Sequence, residues 1–316
     1  MNEPLVVILL ATAITSGTPL LYAALGEILS ERVGILNLGV EGMMLVGAVS
    51  GYIVTVHTHN HWMGILAAMA AGGLMAAIHA FLAVTLRANQ VVSGLALTIF
   101  GTGLSSFLGK PYIGQPVPDV FKPVVIPGLS KIPFLGPILF RHDALVYLSF
   151  LLVAVLWVLI FHTRWGLNMR AVGENPAAAD SMGIPVYLTR YIYVIIGGML
   201  AGIGGAYLSL AYAPSWIENM TVGRGWIAVA LVIFAVWHPG KALVGAYIFG
   251  GVDSLGFRIQ ALGEQASFLK TISPFFLQML PYVMTIIVLI FITSETKRRR
   301  VGTPAALGLP YNREER

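Results

Sequence analysis

The stretch ALVYLSFLLVAVLWVLIF at residues 144–161 runs for eighteen residues without a charged side chain. A run of that kind reads as a helix crossing a bilayer, because each crossing needs about 20 mostly apolar residues. Eight further apolar windows repeat it, near 5–24, 35–56, 63–86, 91–109, 189–212, 225–237, 242–256 and 275–293. The windows at 225–237 and 242–256 are short. Only His238-Pro239-Gly240-Lys241 separates them, and it breaks a helix because proline has no N–H and glycine is flexible. The pair reads either as two tilted helices or as one broken, partly re-entrant element. The expected fold is an all-α polytopic transmembrane helical bundle with about nine membrane-embedded segments, eight to ten in all. A break at 238–241 would mark the interior, since non-helical backbone at membrane depth needs protein or water around it.

Composition points the same way. Of 316 residues, 57% are hydrophobic and 10% charged, and the mean hydropathy is +0.82, whereas soluble domains carry about a quarter charged residues. A water-soluble enzyme is excluded. There is no cysteine, so disulfides, thiolate metal sites and cysteine nucleophiles are excluded as well. Met1-Asn2-Glu3-Pro4 has no basic region ahead of the first apolar window, which is therefore kept as a span and not read as a cleaved signal. The net charge of +5 is scattered, with Lys297–Arg300 the only dense run. It suits loops facing anionic membrane lipid, not nucleic acid.

Lysine and arginine placement sets the expected orientation. With nine crossings and the N-terminus outside, twelve of the 19 basic residues face the cytoplasm and seven face out. The chain then divides, within one transmembrane domain over 1–316, into four spans (1–109), an external proline-rich loop (110–142), the remaining spans with a cytoplasmic loop at 162–190 (143–293), and a cytoplasmic basic tail (294–316). The loop at 110–142 contains seven prolines and reads as an ordered cap, not a helix.

Enzyme motifs are missing. There is no HExxH or GxSxG, and Gly109-Lys110 and Gly240-Lys241 are followed by Pro and Ala, not by the Ser or Thr of a nucleotide-binding loop. No catalytic or metal-ligating residues are expected, and His57, His59 and His61 read as a solvated external turn. A charge in hydrocarbon costs several kcal/mol unless paired or hydrated, so the ionisable residues inside the apolar windows are informative: Glu41, His79 and Asp253. His79 reads as a satisfied packing residue and Asp253 as a partner of Arg258. Asn37 and Glu41, four apart, share a face if their stretch is helical. Glu41 is either a polar element beside a transport path or a buried hydrogen bond that fixes a helix crossing. Small-residue runs such as Gly197-Gly198-Met199-Leu200-Ala201-Gly202 let helices approach closely in lipid.

The loop at 162–190 spells a short helix of about seven residues. Asn175 is suited to the N-cap, Pro176 to the first helical position, and Gly183 followed by Pro185 to the stop. A helix that short, faced by alanines, needs a surface to dock against. That surface is either a cytoplasmic partner protein or the chain itself.

The runs GILNLGVEGMMLVGA at 34–48, RAVGENPAAADSMGIP at 170–185 and GGMLAGIGGAYLSL at 197–210 resemble, in their order and spacing, permease subunits of bacterial ABC importers. The group is that of branched-chain amino acid, ribose and nucleoside permeases, and the form at Gly34–Gly42 looks most like the nucleoside branch. The resemblance implies a permease in the bacterial plasma membrane, multi-pass, for a small polar solute, most of all a nucleoside, with a nucleobase, a simple sugar or a branched-chain amino acid behind. It implies a cytoplasmic ABC ATPase, a second permease subunit and a periplasmic or lipid-anchored solute-binding protein as partners. It also implies no cofactor of the chain's own, ATP being used by the partner. Residues Glu174, Asn175, Pro176, Ala177, Ala178, Ala179, Asp180, Met182 and Gly183 would form the coupling helix and its flanks, and Asn37, Gly39, Glu41 and Gly42 would lie beside the translocation path. An ion-gradient-driven transporter or channel is the competing expectation, with Glu41 its one candidate carboxylate.

Overall fold

The computed structural model describes residues 4–263, 276, 279–280, 282–287, 290 and 302–313, the side chains of 257, 258 and 260–263 excepted. The helices are α1 (Leu5–Arg32), α2 (Val40–Thr58), α3 (His61–Ala80, prolonged by a π-helical turn over Phe81–Thr85), α4 (Gln90–Gly109), α5 (Leu135–Leu139), α6 (Ala144–His162), α7 (Arg164–Glu174), α8 (Pro176–Ser181), α9 (Val186–Tyr207, prolonged by a π-helical turn over Leu208–Tyr212), α10 (Arg224–Phe234) and α11 (Pro239–Gly263). Two-residue strands β1 (Val124–Val125) and β2 (Arg141–His142) pair antiparallel.

Local chemistry sets most helix starts. The first free N–H groups of a helix need acceptors, and the side chains of Asn60, Asn89, Asp143, Thr163 and Asn175 supply them to α3, α4, α6, α7 and α8. α10 has no such cap of its own. It opens on Gly223 at φ +77° with no side-chain hydrogen bond from that residue.

α9 lies at the centre, packed on α1, α2 and α3, while α11 runs along α1, α4 lies on α2, and α10 touches both α1 and α2. The central contacts are backbone against backbone. A Cβ added at Gly205 would fall on the Met44 carbonyl, one at Gly47 on the Gly202 backbone, and one at Gly72 on the Gly198 carbonyl. Lipid tails are as apolar as leucine, so such close van der Waals contact, not hydrophobic exclusion, holds helices together there.

Six helices among the described residues are long and apolar enough to cross a membrane: Leu5–Arg32, Val40–Thr58, His61–Thr85, Gln90–Tyr112, Ala144–His162 and Val186–Tyr212. These six do not confirm the expected count of about nine membrane-embedded segments. α10 has eleven residues and is about 16 Å long at 1.5 Å per residue, half of a bilayer core of about 30 Å. α11 has 25 residues and matches the eighth window, though it is not among the six. The ninth window, 275–293, falls largely outside the described residues.

The bundle has two ends. One, here the basal end, carries Arg32, the α3–α4 turn and the α7–α8 loop. The other carries the cap at 110–142. The cap is ordered, through β1–β2, α5 and short 3-10 turns, and it is tied to the segment after α9 by backbone bridges Ile113–Trp216 and Pro116–Ser215. The histidine run differs from its expectation. His59 ends α2 at φ 51°, but His61 meets a carboxylate brought from the cap, its ring nitrogen 2.5 Å and its backbone N–H 3.2 Å from Asp119. That backbone N–H, together with the ring, holds the Asp119 carboxyl below the usual carboxylate range. Among the described residues no group of three metal-ligating side chains forms.

Candidate functional site

Two places gather the residues that the sequence singles out. The first is the basal loop. α8 begins as expected, with Asn175 Oδ1 accepting from Ala178 N at 3.0 Å, Pro176 at its first position, and Gly183 at φ +82° beyond its end. Its two faces differ. Ala177, Ala178, Glu174, Asn175 and Gly183 are exposed, and Met182 is 81% exposed, whereas Ala179 is 3% exposed and packs inward. The helix therefore lies on its own protein by one side and offers a small-residue face with a methionine by the other. The sequence reading missed α7, an eleven-residue helix that precedes α8 and leaves Trp165 and Leu167 exposed. Its signal was available in Thr163, which caps it through Gly166 N at 3.1 Å.

The second place is the start of α2. Asn37 lies outside the helix, which begins at Val40, so Asn37 and Glu41 do not share a helical face. Asn37 Oδ1 instead accepts from Gly39 N at 3.1 Å, and Asn37 N donates to Glu27 Oε1 at 2.9 Å. Gly42 is packed against α4, where a Cβ would meet the Leu97 carbonyl at 2.5 Å, and Gly39 approaches the Leu97 side chain. All four residues, Asn37, Gly39, Glu41 and Gly42, are buried within the subunit.

Glu41 supplies the cap that α10 lacks. One carboxylate oxygen accepts from Thr221 Oγ1 at 2.6 Å and Gly223 N at 2.8 Å, and the other accepts from Gly225 N at 2.6 Å. A carboxylate at a helix N-terminus is also favoured by the helix dipole. Beside it, Arg224 Nη2 pairs with Asp253 Oδ2 at 2.9 Å, and Tyr282 Oη donates to Val222 O at 2.8 Å. Asp253 thus has a partner other than the expected Arg258, whose side chain lies outside the described residues.

This cap locates the true interruption of the bundle. α10 starts against the first turn of α2 and ends at Phe234; just beyond it the Trp237 carbonyl accepts from Arg32 Nη2 at 3.0 Å and the Trp237 indole donates to Glu31. The break at 238–241 therefore sits at the basal end, not at mid-depth as expected. The irregular backbone runs instead over 213–223, from the cap down to Glu41, with Asn219 and Val222 at φ 55° and 47° and Trp216 and Thr221 almost wholly buried. Irregular backbone at such a depth is sustained where protein encloses it.

The census of buried ionisable groups also needs correction. α1 runs eight residues past its apolar window, to Arg32, and Glu27, Glu31 and Arg190 are each 1% exposed. Arg190 Nε donates to Val33 O at 3.1 Å. His79 is satisfied as expected, between Ser93 Oγ at 3.0 Å and Leu36 O at 3.1 Å.

Comparison with known proteins follows the same lines. Residues 9–293 match the family model described as branched-chain amino acid transport system / permease component. The chain is 46% identical over 321 residues to the putative glucose ABC transporter permease protein TsgC13 of Haloferax volcanii, covering 97% of this chain and 98% of the relative. It is 36% identical over 322 residues to the guanosine ABC transporter permease protein NupQ of Bacillus subtilis, with 98% of each covered. It is 37% identical over 292 residues to the nucleoside ABC transporter permease protein NupC of Lactococcus lactis, covering 89% of this chain and 91% of the relative. With several apolar helices, a short capped helix exposed at one end, and a match across nearly its whole length, the chain belongs to the branched-chain amino acid transport system permease family and is an ABC transporter permease subunit of the multi-pass membrane type.

Proposed function

We propose that the protein, paired with a second permease subunit, forms the translocation path of an ATP-driven importer for a neutral, sugar-bearing solute, a nucleoside above all. The observation that carries the reading is α8: a helix capped at both ends, anchored by Ala179, and presenting Ala177, Ala178 and Met182 outward. A cytoplasmic ABC ATPase would seat on that face, which places the basal end in the cytoplasm and the cap at 110–142 toward a solute-binding protein. Closing of the ATPases on ATP would move α8, and alternating access would follow from the different contacts each state makes.

The residue inventory suits a neutral solute. Glu41 is engaged at α10, Asp253 by Arg224 and Glu31 by Trp237, while Glu27 accepts from Asn37 N through one oxygen and keeps the other buried without a partner among the described residues. An ion-gradient mechanism would want a carboxylate at mid-depth that takes up and releases a cation, and both oxygens of Glu41 are already committed. Two of the relatives above carry nucleoside or guanosine in their names and one carries glucose. A hexose is therefore the second reading, and the shared chemistry is a hydroxylated ring.

Two results are expected. Cells carrying the complete transport system take up labelled guanosine and lose that uptake on ATP depletion with the proton gradient held. Excess glucose leaves it unchanged if a nucleoside is the solute, whereas no guanosine uptake together with ATP-dependent uptake of labelled glucose assigns a hexose. Uptake that survives ATP depletion but collapses with a protonophore overturns the importer reading. Ala178→Arg places a long cation on the exposed outward face of α8. It is expected to abolish uptake and co-purification of the ATPase while membrane insertion is unchanged, and retained uptake would sink the assignment of α8.

A further inference from the structure

Residues 302–313 return to the basal end and are fixed there at several points. Ala306 N donates to Gly173 O at 2.9 Å, at the end of α7, and Gly308 N donates to Gly34 O at 3.2 Å. Tyr311 Oη donates to Asp180 Oδ2 at 3.1 Å, and Arg313 Nε pairs with the same oxygen at 3.0 Å. The Tyr311 ring lies 5.8 Å from that of Tyr187 at the start of α9. Ala306 and Tyr311 are 6% and 7% exposed, and the side chain of Asp180, on an otherwise open helix, is 10% exposed beneath them. Gly308 and Pro310 also close one side of a hollow of about 320 Å³ over Leu36, Arg87, Asn89 and Gln90.

One short strap of chain thus touches two regions far apart in sequence. The first is α8, through Asp180 and the end of α7. The second is the turn at 33–39, where Gly34 stands at φ +84° and Asn37 is bonded to Glu27 of α1. From this geometry we propose that residues 304–313 are a positioning element that joins the coupling helix to the 33–39 turn, so that α8, strap and turn move as one body. The inference rests on the reading of α8 as the coupling helix. Displacement of α8 by the ATPase then reaches Asn37, and through its bond to Gly39 the start of α2.

The contacts are unequal. Arg313 is 67% exposed, and an exposed ion pair contributes little. The anchors are the two backbone bonds and the buried Tyr311 with its bond to a carboxylate, a stronger type than a neutral pair. The strap should therefore tolerate loss of Arg313 alone and fail when Tyr311 is lost with it.

The test is uptake per ATP hydrolysed, in the complete transporter reconstituted with its ATPase and binding protein. Deleting residues 302–316 is expected to leave ATPase co-purification and hydrolysis in place while lowering uptake per ATP by about 10-fold, within the usual range of coupling between sites. Tyr311→Phe combined with Arg313→Gln, which keeps the strap but removes the Tyr311 and Arg313 bonds to Asp180, is expected to act in the same direction with a smaller effect. It decides the matter if the deletion variant fails to insert. Because the chain has no cysteine, Asp180→Cys with Tyr311→Cys can be joined by a bismaleimide, and the joined protein is expected to restore the uptake ratio lost in the unjoined pair. An unchanged ratio in the deletion or the double variant, or a joined pair that stays inactive, overturns the strap. Ala178→Arg run alongside separates the two ideas. If it keeps its ATPase, the coupling-helix reading itself falls; if it loses the ATPase while the strap variants couple normally, only the strap does.

Discussion

Glu41→Ala is expected to abolish uptake and to lower the thermal midpoint of the detergent-solubilised protein by roughly 10 °C. The residue makes three hydrogen bonds to Thr221, Gly223 and Gly225 with no water access to replace them. Hydrogen bonds to charged groups are worth about 1.5–3 kcal/mol each and do not add fully, so a loss on the order of 4 kcal/mol is expected. Beyond the energy, the half-length α10 loses the only side-chain cap its described surroundings give it. The lower end of the irregular backbone over 213–223 then rests on the Tyr282 bond to Val222 O and on Arg224. Glu41→Gln should fall between the two, because its one carbonyl oxygen can serve Thr221 and Gly223 while its NH2 faces the Gly225 N–H donor to donor. An alanine variant with the parent midpoint and uptake would show that α10 is held by other contacts.

Gly205→Val has the other large expected effect: loss of folded protein from the membrane. A single Cβ at this position would overlap the Met44 carbonyl and crowd the Ala48 backbone, and neither atom belongs to a flexible side chain that can turn aside. α2 and α9 would have to separate, opening a gap along the most buried of the six described spans. Gly103→Ala is the matched control. Gly103 lies on the outer face of α4 with nothing within 4 Å of an added Cβ, and substitutions at such exposed positions usually change stability by less than about 0.5 kcal/mol. Expression and size-exclusion profiles of the two variants read the contrast directly. Equal behaviour would mean that the α2–α9 contact can relax at no cost.

Much of this architecture is legible in the chain because its causes are local. Apolar runs locate α2–α4, α6 and α9 to within about five residues and place α1 and α11, which outrun their windows, and Asn175, Pro176 and Gly183 delimit α8 because capping depends only on near neighbours. What escapes is whatever depends on distant partners. Hydropathy ends α1 before Glu27, Glu31 and Arg32, yet these are buried because Asn37 and Trp237 come to meet them. The carboxylate that caps α10 stands some 180 positions earlier in the chain, so no inspection of residues 213–234 reveals that helix's support. The histidine run is the same case, since the Asp119 that engages His61 arrives from the cap. Pro239 and Gly240 announce a break truthfully, but a breaker has no depth written in it, and the contacts of Trp237 with Arg32 decide where it lies.

The glycine contacts that join α1, α2, α3 and α9 have a consequence for how the protein meets its lipid. Where backbones touch directly, few long side chains lie between helices to rearrange, so sliding one past another would break many contacts together. The four behave as a stiff raft. In a bilayer thicker or thinner than its own apolar height, such a raft tilts as a unit and leaves its helices unbent. Acyl-chain length should then be felt as a change in transport rate, with the fold itself indifferent to it.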